Sequence, residues 1–156
     1  MSKKKQEERT LTDLEKNRQA VSGLKAEILR LDADMVHETE LGYGWSDEET
    51  RVNSPRMKEL IDRKRALEAE LAAVSAHVAQ ADAALLAMCT THTLVLKEFF
   101  CEGRYRGAAV VKLQRQLNVS EATVYRIKRR ALEEFAHRMG YIEKLPLQEN
   151  PAGGED

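Results

Sequence analysis

Aromatic residues are scarce in this chain: one Trp, three Phe and four Tyr among 156 residues, while a third of the residues are charged. That balance excludes one large aromatic-filled core and suits helices, bundles and coiled coils. Cysteine is nearly absent too. Cys89 and Cys101 form no CxxC pair, so neither a disulfide framework nor a zinc ribbon is expected. The nearest approach to a metal set is Cys89, His92 and Cys101. A structural zinc site takes four ligands, and no fourth stands nearby, so no metal is expected. The start, MSKKKQEERT, runs on into polar sequence rather than an apolar core, so no signal peptide is expected. No stretch is long and apolar enough to span a bilayer. The expected location is the cytoplasm, with reduced thiols.

Catalytic signatures are missing as well. The chain holds no phosphate loop, no Gly-rich dinucleotide turn and no Ser/His/Asp pattern. The carboxylates between residues 32 and 49 have no cleft-forming context. The expectation is a protein that is not an enzyme and takes no cofactor.

The formal net charge of −1 hides a polarised chain. Residues 103–130 hold Arg104, Arg106, Lys112, Arg115, Arg126, Lys128, Arg129 and Arg130 against one acid, Glu121. Residues 31–50 hold Asp32, Asp34, Glu38, Glu40, Asp47, Glu48 and Glu49 with no Lys or Arg. Such asymmetry points to a polyanionic partner for the basic part.

Two heptad seams occupy the first half. Leu14, Val21, Ile28 and Met35 recur every seven residues, with Leu24 and Leu31 between them. After an acidic loop (36–54) containing Tyr43 and Trp45, Ser54-Pro55 opens a second helix. Its seam runs Met57, Leu60, Lys64, Leu67, Leu71, Val74, Val78, Ala81, Leu85 and Met88, with Lys64 the one charged member. A mean period of 3.5 marks helix packing on helix. Two such helices form either an antiparallel hairpin or halves completed by another protomer. The long helix would be partly uncovered in a lone hairpin, so a homo-oligomer is expected, a dimer first. The Trp45 segment is expected to anchor the loop onto the helices.

TTHT at 90–93 is a candidate boundary, because β-branched runs are mediocre helix formers. Beyond it the chain predicts LVLKEFF as a helix, a Gly-containing turn, a helix from about 108 to 117, a turn at Asn118 and Val119, and a long helix from Ser120. Ser120 is a good N-cap, Asn118 tolerates a left-handed conformation, and Gly140 is the expected C-cap. Leu113, Leu117, Val119, Val124, Ile127, Ala131 and Phe135 make one apolar face, expected to pack on Leu94, Leu96, Phe99 and Phe100. At 100° per residue the opposite side carries Ala122, Arg126, Arg129 and Glu133, flanked by Thr123, Tyr125 and Arg130.

That layout predicts a helix docked in the major groove of double-stranded DNA. Candidates for base contact are Ala122, Thr123, Tyr125, Arg126 and Arg129. Arg126 leads, because a guanidinium binds guanine O6 and N7 bidentately. Candidates for phosphate contact are Arg104, Arg106, Lys112, Arg115, Ser120, Lys128 and Arg130, which would fix register without reading sequence.

The segment from Leu94 to Arg138 resembles the helix-turn-helix of sigma factor region 4. LNVS matches its turn, and ATVYRIKRRALEEF its recognition helix. With a helical first half, the chain resembles phage regulators of the ArpU/RinA kind, activators of late genes encoded by phages and prophages. The resemblance implies a sequence-specific regulator in a bacterial host, with host RNA polymerase as a second partner. Gln114 stands where the family has a small residue, and Asn118 where it has glycine. Residues 1–90 lack an aromatic-rich promoter-melting segment, which separates the chain from a complete sigma factor.

The expected architecture is all-α: a disordered start (1–8), a heptad helical hairpin or coiled coil (9–89), a helix-turn-helix domain (94–142) and a disordered tail (143–156). The oligomerisation seam expected from the heptads is Leu14, Val21, Leu24, Ile28, Leu31, Met57, Leu60, Leu67, Leu71, Val74, Val78 and Leu85. Two other functions fit the same pattern: a small terminase subunit that packages DNA, and a helical adaptor that grips an acidic protein.

Overall fold

A computed structural model of the chain describes residues 5–41, 54–103 and 105–143. Most of the acidic loop with Tyr43 and Trp45, Arg104, and residues 144–156 lie outside the described residues. Among the described residues every regular element is helical: α1 (Gln6–Thr12), α2 (Leu14–Leu41), α3 (Pro55–Ala87), α4 (Thr90–Leu96), a π-helical turn (Lys97–Cys101), α5 (Arg106–Leu117) and α6 (Glu121–Arg138). None of these helices is long and apolar enough to cross a membrane.

The helix ends follow local chemistry. The Ser54 hydroxyl accepts from the Met57 amide at 3.1 Å, with Pro55 at the first helical position. α2 runs to Leu41, into the segment expected as acidic loop, because no Gly or Pro interrupts it before Gly42. α3 stops at Ala87, and Cys89 is extended. The Thr93 hydroxyl then donates to the Leu85 carbonyl at 2.8 Å, satisfying an acceptor left open by the helix end. TTHT is thus a boundary by opening α4.

By contacts the chain divides into two compact units, residues 1–15 with 78–156, and residues 16–77. In the second, Leu24, Leu31, Met57 and Leu60 are buried within a single chain. Arg63 reaches Glu27 at 2.6 Å, and Lys64 reaches Asp32 at 2.6 Å. Lys64, the charged member of the seam, therefore has its counter-ion on α2. Its hydrogen bond to Asp32 raises its pKa above the ordinary lysine value. Val21, Ile28, Leu67, Leu71 and Val74 are half-buried.

The first unit has two apolar clusters. Val95, Leu113 and Val124, all without exposed surface, are joined by Leu94, Phe99, Leu117, Val119 and Ile127. The other cluster gathers Leu11, Leu14, Ala81, Ala84, Leu85, Met88, Leu96, Ala131, Phe135 and Met139, with Phe100, Cys101 and Tyr141 against it. The single apolar face expected from the sequence is therefore split in two. Phe99 and Phe100, neighbours in the π turn, serve different clusters.

Three seam residues expected to mediate association, Leu14, Val78 and Leu85, belong to this second cluster. The start of the chain also differs from expectation. Residues 6–8 are helical rather than a frayed tail, because the helix they open carries Leu11 into the core. Thr10 and Tyr141 share a hydroxyl hydrogen bond of 2.7 Å.

Gly140 adopts φ +80°. The Tyr141 amide donates to Ala136 at 2.8 Å and the Gly140 amide to His137 at 3.0 Å, a Schellman closure of α6. Nothing lies near the place a Cβ would take, so Gly140→Ala meets only backbone strain and should cost about 1–2 kcal/mol. Leu11→Ala should cost about 2–5 kcal/mol. Urea unfolding measures both; a Leu11→Ala value within error of wild type would mean that α1 lies outside the cooperative unit.

Candidate nucleic-acid interface

The geometry starts at the turn between α5 and α6. Asn118 takes φ 56° and ψ 52°, the left-handed conformation. The Asn118 and Val119 amides both donate to the Gln114 carbonyl, closing α5. Ser120 is extended, and its hydroxyl accepts from the Thr123 amide at 3.2 Å while donating to the Thr123 hydroxyl at 3.0 Å. Glu121 in the first turn of α6, and His137 and Arg138 in its last, complement the helix dipole. Gln114 is only half-buried, so its amide is not forced into an unpaired core position.

Packing then sets the rotation of α6. Val124, Ala131 and Phe135 are fully buried. Ala122, Arg126 and Arg129 are exposed, since they stand roughly 140–200° around the helix from Val124. These three base-contact candidates share one outward face. Arg115 on α5 is exposed as well.

The remaining candidates are placed differently. Tyr125 is half-buried, its ring 6.0 Å from Phe99 and 4.9 Å beneath the Arg106 guanidinium. Lys128 is drawn over the same aromatic group, its ammonium 4.7 Å from the Phe99 centroid and 5.5 Å from that of Phe100. Burial pushes the Lys128 pKa below the ordinary lysine value, Arg106 pushes it the same way, and Glu8 pulls it back in part. Lys112 lies 2.8 Å from the carboxylate of Glu98, which is buried. Ser120 and Thr123 are occupied with each other at the cap. Arg130 is half-buried and has a partner, and Arg104 lies outside the described residues.

The expectation that Tyr125 reads bases and that Lys112 and Lys128 grip phosphate thus meets side chains committed to the protein itself. The helical wheel carried a signal for two of them: Lys128 falls about 40° and Tyr125 about 100° from Val124. For Lys112 the signal was Glu98 in an otherwise apolar LVLKEFF segment, an acid that needs a cation.

A second polar network borders α6. His92 Nδ1 lies 3.0 Å from Glu134 Oε1, and Arg138 Nε donates to Glu134 Oε2 at 3.0 Å. Cys101 donates to the Leu11 carbonyl at 3.5 Å, and Cys89 is exposed. Among the described residues no three metal-ligating side chains converge.

Comparison of the chain with known protein families, with curated proteins and with solved structures finds no match.

Burial raises the Glu134 pKa, but the hydrogen bonds from His92 and Arg138, with their charges, outweigh it and hold it below the ordinary value. A depressed carboxylate contributes stability above its unfolded pKa and loses it as pH falls through the folded one. Glu134→Gln should therefore cost about 1–3 kcal/mol near neutrality and flatten the acid limb of stability against pH. An unchanged limb in denaturation series would refute the assignment. Lys112→Ala should destabilise by about 1–3 kcal/mol, because it strips a cation from a buried carboxylate. Arg115→Ala should stay within about 0.5 kcal/mol of wild type.

Proposed function

We propose that the chain is a sequence-specific regulator that binds double-stranded DNA, with α5 and α6 acting as a helix-turn-helix and α2 and α3 as a heptad hairpin. The observation that carries this is the outer face of α6. Ala122, Arg126 and Arg129 stand exposed on a helix whose inner face is sealed and whose entry is held by a left-handed Asn118 and a Ser120 cap. A small apolar residue beside two guanidiniums suits a base-pair edge in the major groove, where Arg meets guanine and a methyl meets thymine. Arg115 supplies a phosphate contact from the supporting helix.

The resemblance of residues 94–138 to sigma region 4, and of the chain to ArpU/RinA-type phage activators, extends this reading to late-gene activation in a bacterial host, with RNA polymerase as a second partner. The small-terminase reading needs the same DNA-binding helix and differs in oligomer size. The adaptor reading needs the same basic face and no DNA.

Recovery of genomic fragments on the purified protein, followed by sequencing, identifies the site. On that site, Arg126→Ala should lose about 1–3 kcal/mol of binding and relax discrimination at one base pair. Arg115→Ala should weaken binding evenly across sequences and lower the salt slope by about one. Anisotropy titrations at several salt concentrations measure both. Wild-type affinity in Arg126→Ala would refute the base contact, and no duplex binding at low salt would leave the basic face to an acidic protein.

A further inference from the structure

α2 carries a second apolar seam that its own chain leaves uncovered. Leu24 and Leu31 are buried and Ile28 is half-buried. Ala26, Leu29, Ala33 and Val36 are all exposed, Leu29 by 68% and Val36 by 58%. The exposed set keeps the three-four spacing of a coiled-coil seam. It is offset by two residues from the buried one, roughly 200° around the helix, and so faces the other way.

We infer that this outer seam is the surface through which two copies of the chain associate, α2 against α2, antiparallel. The seam alternates small and large: Ala26, Leu29, Ala33, Val36. Antiparallel pairing sets Leu29 on the partner's Ala33 and Ala26 on the partner's Val36, so that every layer holds one large and one small side chain and fills evenly. Parallel pairing would set leucine on leucine and alanine on alanine, overfilling one layer and emptying the next. The flanking charges select the same direction. In the antiparallel pair Lys25 borders the partner's Asp32, whereas in the parallel pair it would border the partner's Arg30, like on like. Asp32 already holds Lys64 of its own chain; a carboxylate has acceptor sites enough for a second cation. The twofold arrangement makes every such contact twice. This interface is separate from α6, and the inference stands whether or not the chain binds DNA.

Sedimentation velocity of the full chain over a concentration series tests it. The wild type should form a dimer, and Leu29→Arg should raise its dissociation constant at least about a hundredfold, since both copies lose the contact at once. Leu29 is exposed, so circular dichroism should stay unchanged. The paired swap of Leu29→Ala with Ala33→Leu keeps a large residue opposite a small one and should dimerise like wild type. In a Cys89→Ser background, a mixture of Ala26→Cys and Val36→Cys chains should form a disulfide-linked pair that neither forms alone. A wild type that stays monomeric would overturn the inference. So would a dimer indifferent to Leu29→Arg, including one lost instead in Leu86→Arg, or cross-linking by Ala26→Cys alone.

Discussion

Contact among Val95, Leu113 and Val124, each with no exposed surface, is the constraint on which the rest of the basic unit depends. It joins α4, α5 and α6 at one point. Once Val124 faces inward, the direction of every other α6 side chain follows from the 100° step. Ala122, Arg126 and Arg129 are sent out, and Tyr125 and Lys128 are turned toward Phe99. The Asn118 turn and the Ser120 cap act on the same geometry by fixing where α6 begins. A one-residue shift of that start would rotate α6 by about 100° and bring a different set of cations to the surface.

The cations of residues 103–130 are therefore of two kinds. Lys112 and Lys128 sit with a buried carboxylate and with aromatic faces. Arg115, Arg126 and Arg129 stand in solvent. The two roles suit the two chemistries. A lysine stem lies comfortably on apolar surface with its compact head at the edge, whereas the planar guanidinium presents a rigid fork to a base or phosphate. Arg106 is intermediate, its fork spread on the Tyr125 ring.

What was legible in the sequence was local. Ser54, Asn118, Ser120 and Gly140 act through bonds to residues a few positions away, and each takes the conformation its chemistry suggests. The buried face of α6 was legible for the same reason. What escaped depends on distant partners. Thr10 meets Tyr141 across 131 positions, and nothing near Thr10 announces it. Leu14, Val78 and Leu85 fit the heptad as well as any member, yet they serve the cluster around Phe135. A heptad states that a helix has a partner and is silent on which one. Burial of Leu24, Leu31, Met57 and Leu60 within one chain supplies the answer for the inner seam. It also exposes the question that Leu29 and Val36 raise on the outer one.

Salt acts on the two kinds of cation unequally. A cation on DNA replaces condensed counterions, so added salt weakens that contact steeply. The Lys112–Glu98 pair, with its carboxylate buried, is screened far less than exposed charges are. The cation–aromatic contacts of Lys128 are likewise shielded by the rings beneath them. Folding of the basic unit and its proposed binding to duplex DNA therefore rest on charges drawn from one short basic segment but separated by burial. Ionic strength that releases the nucleic acid leaves the scaffold aiming Arg126 and Arg129 in place.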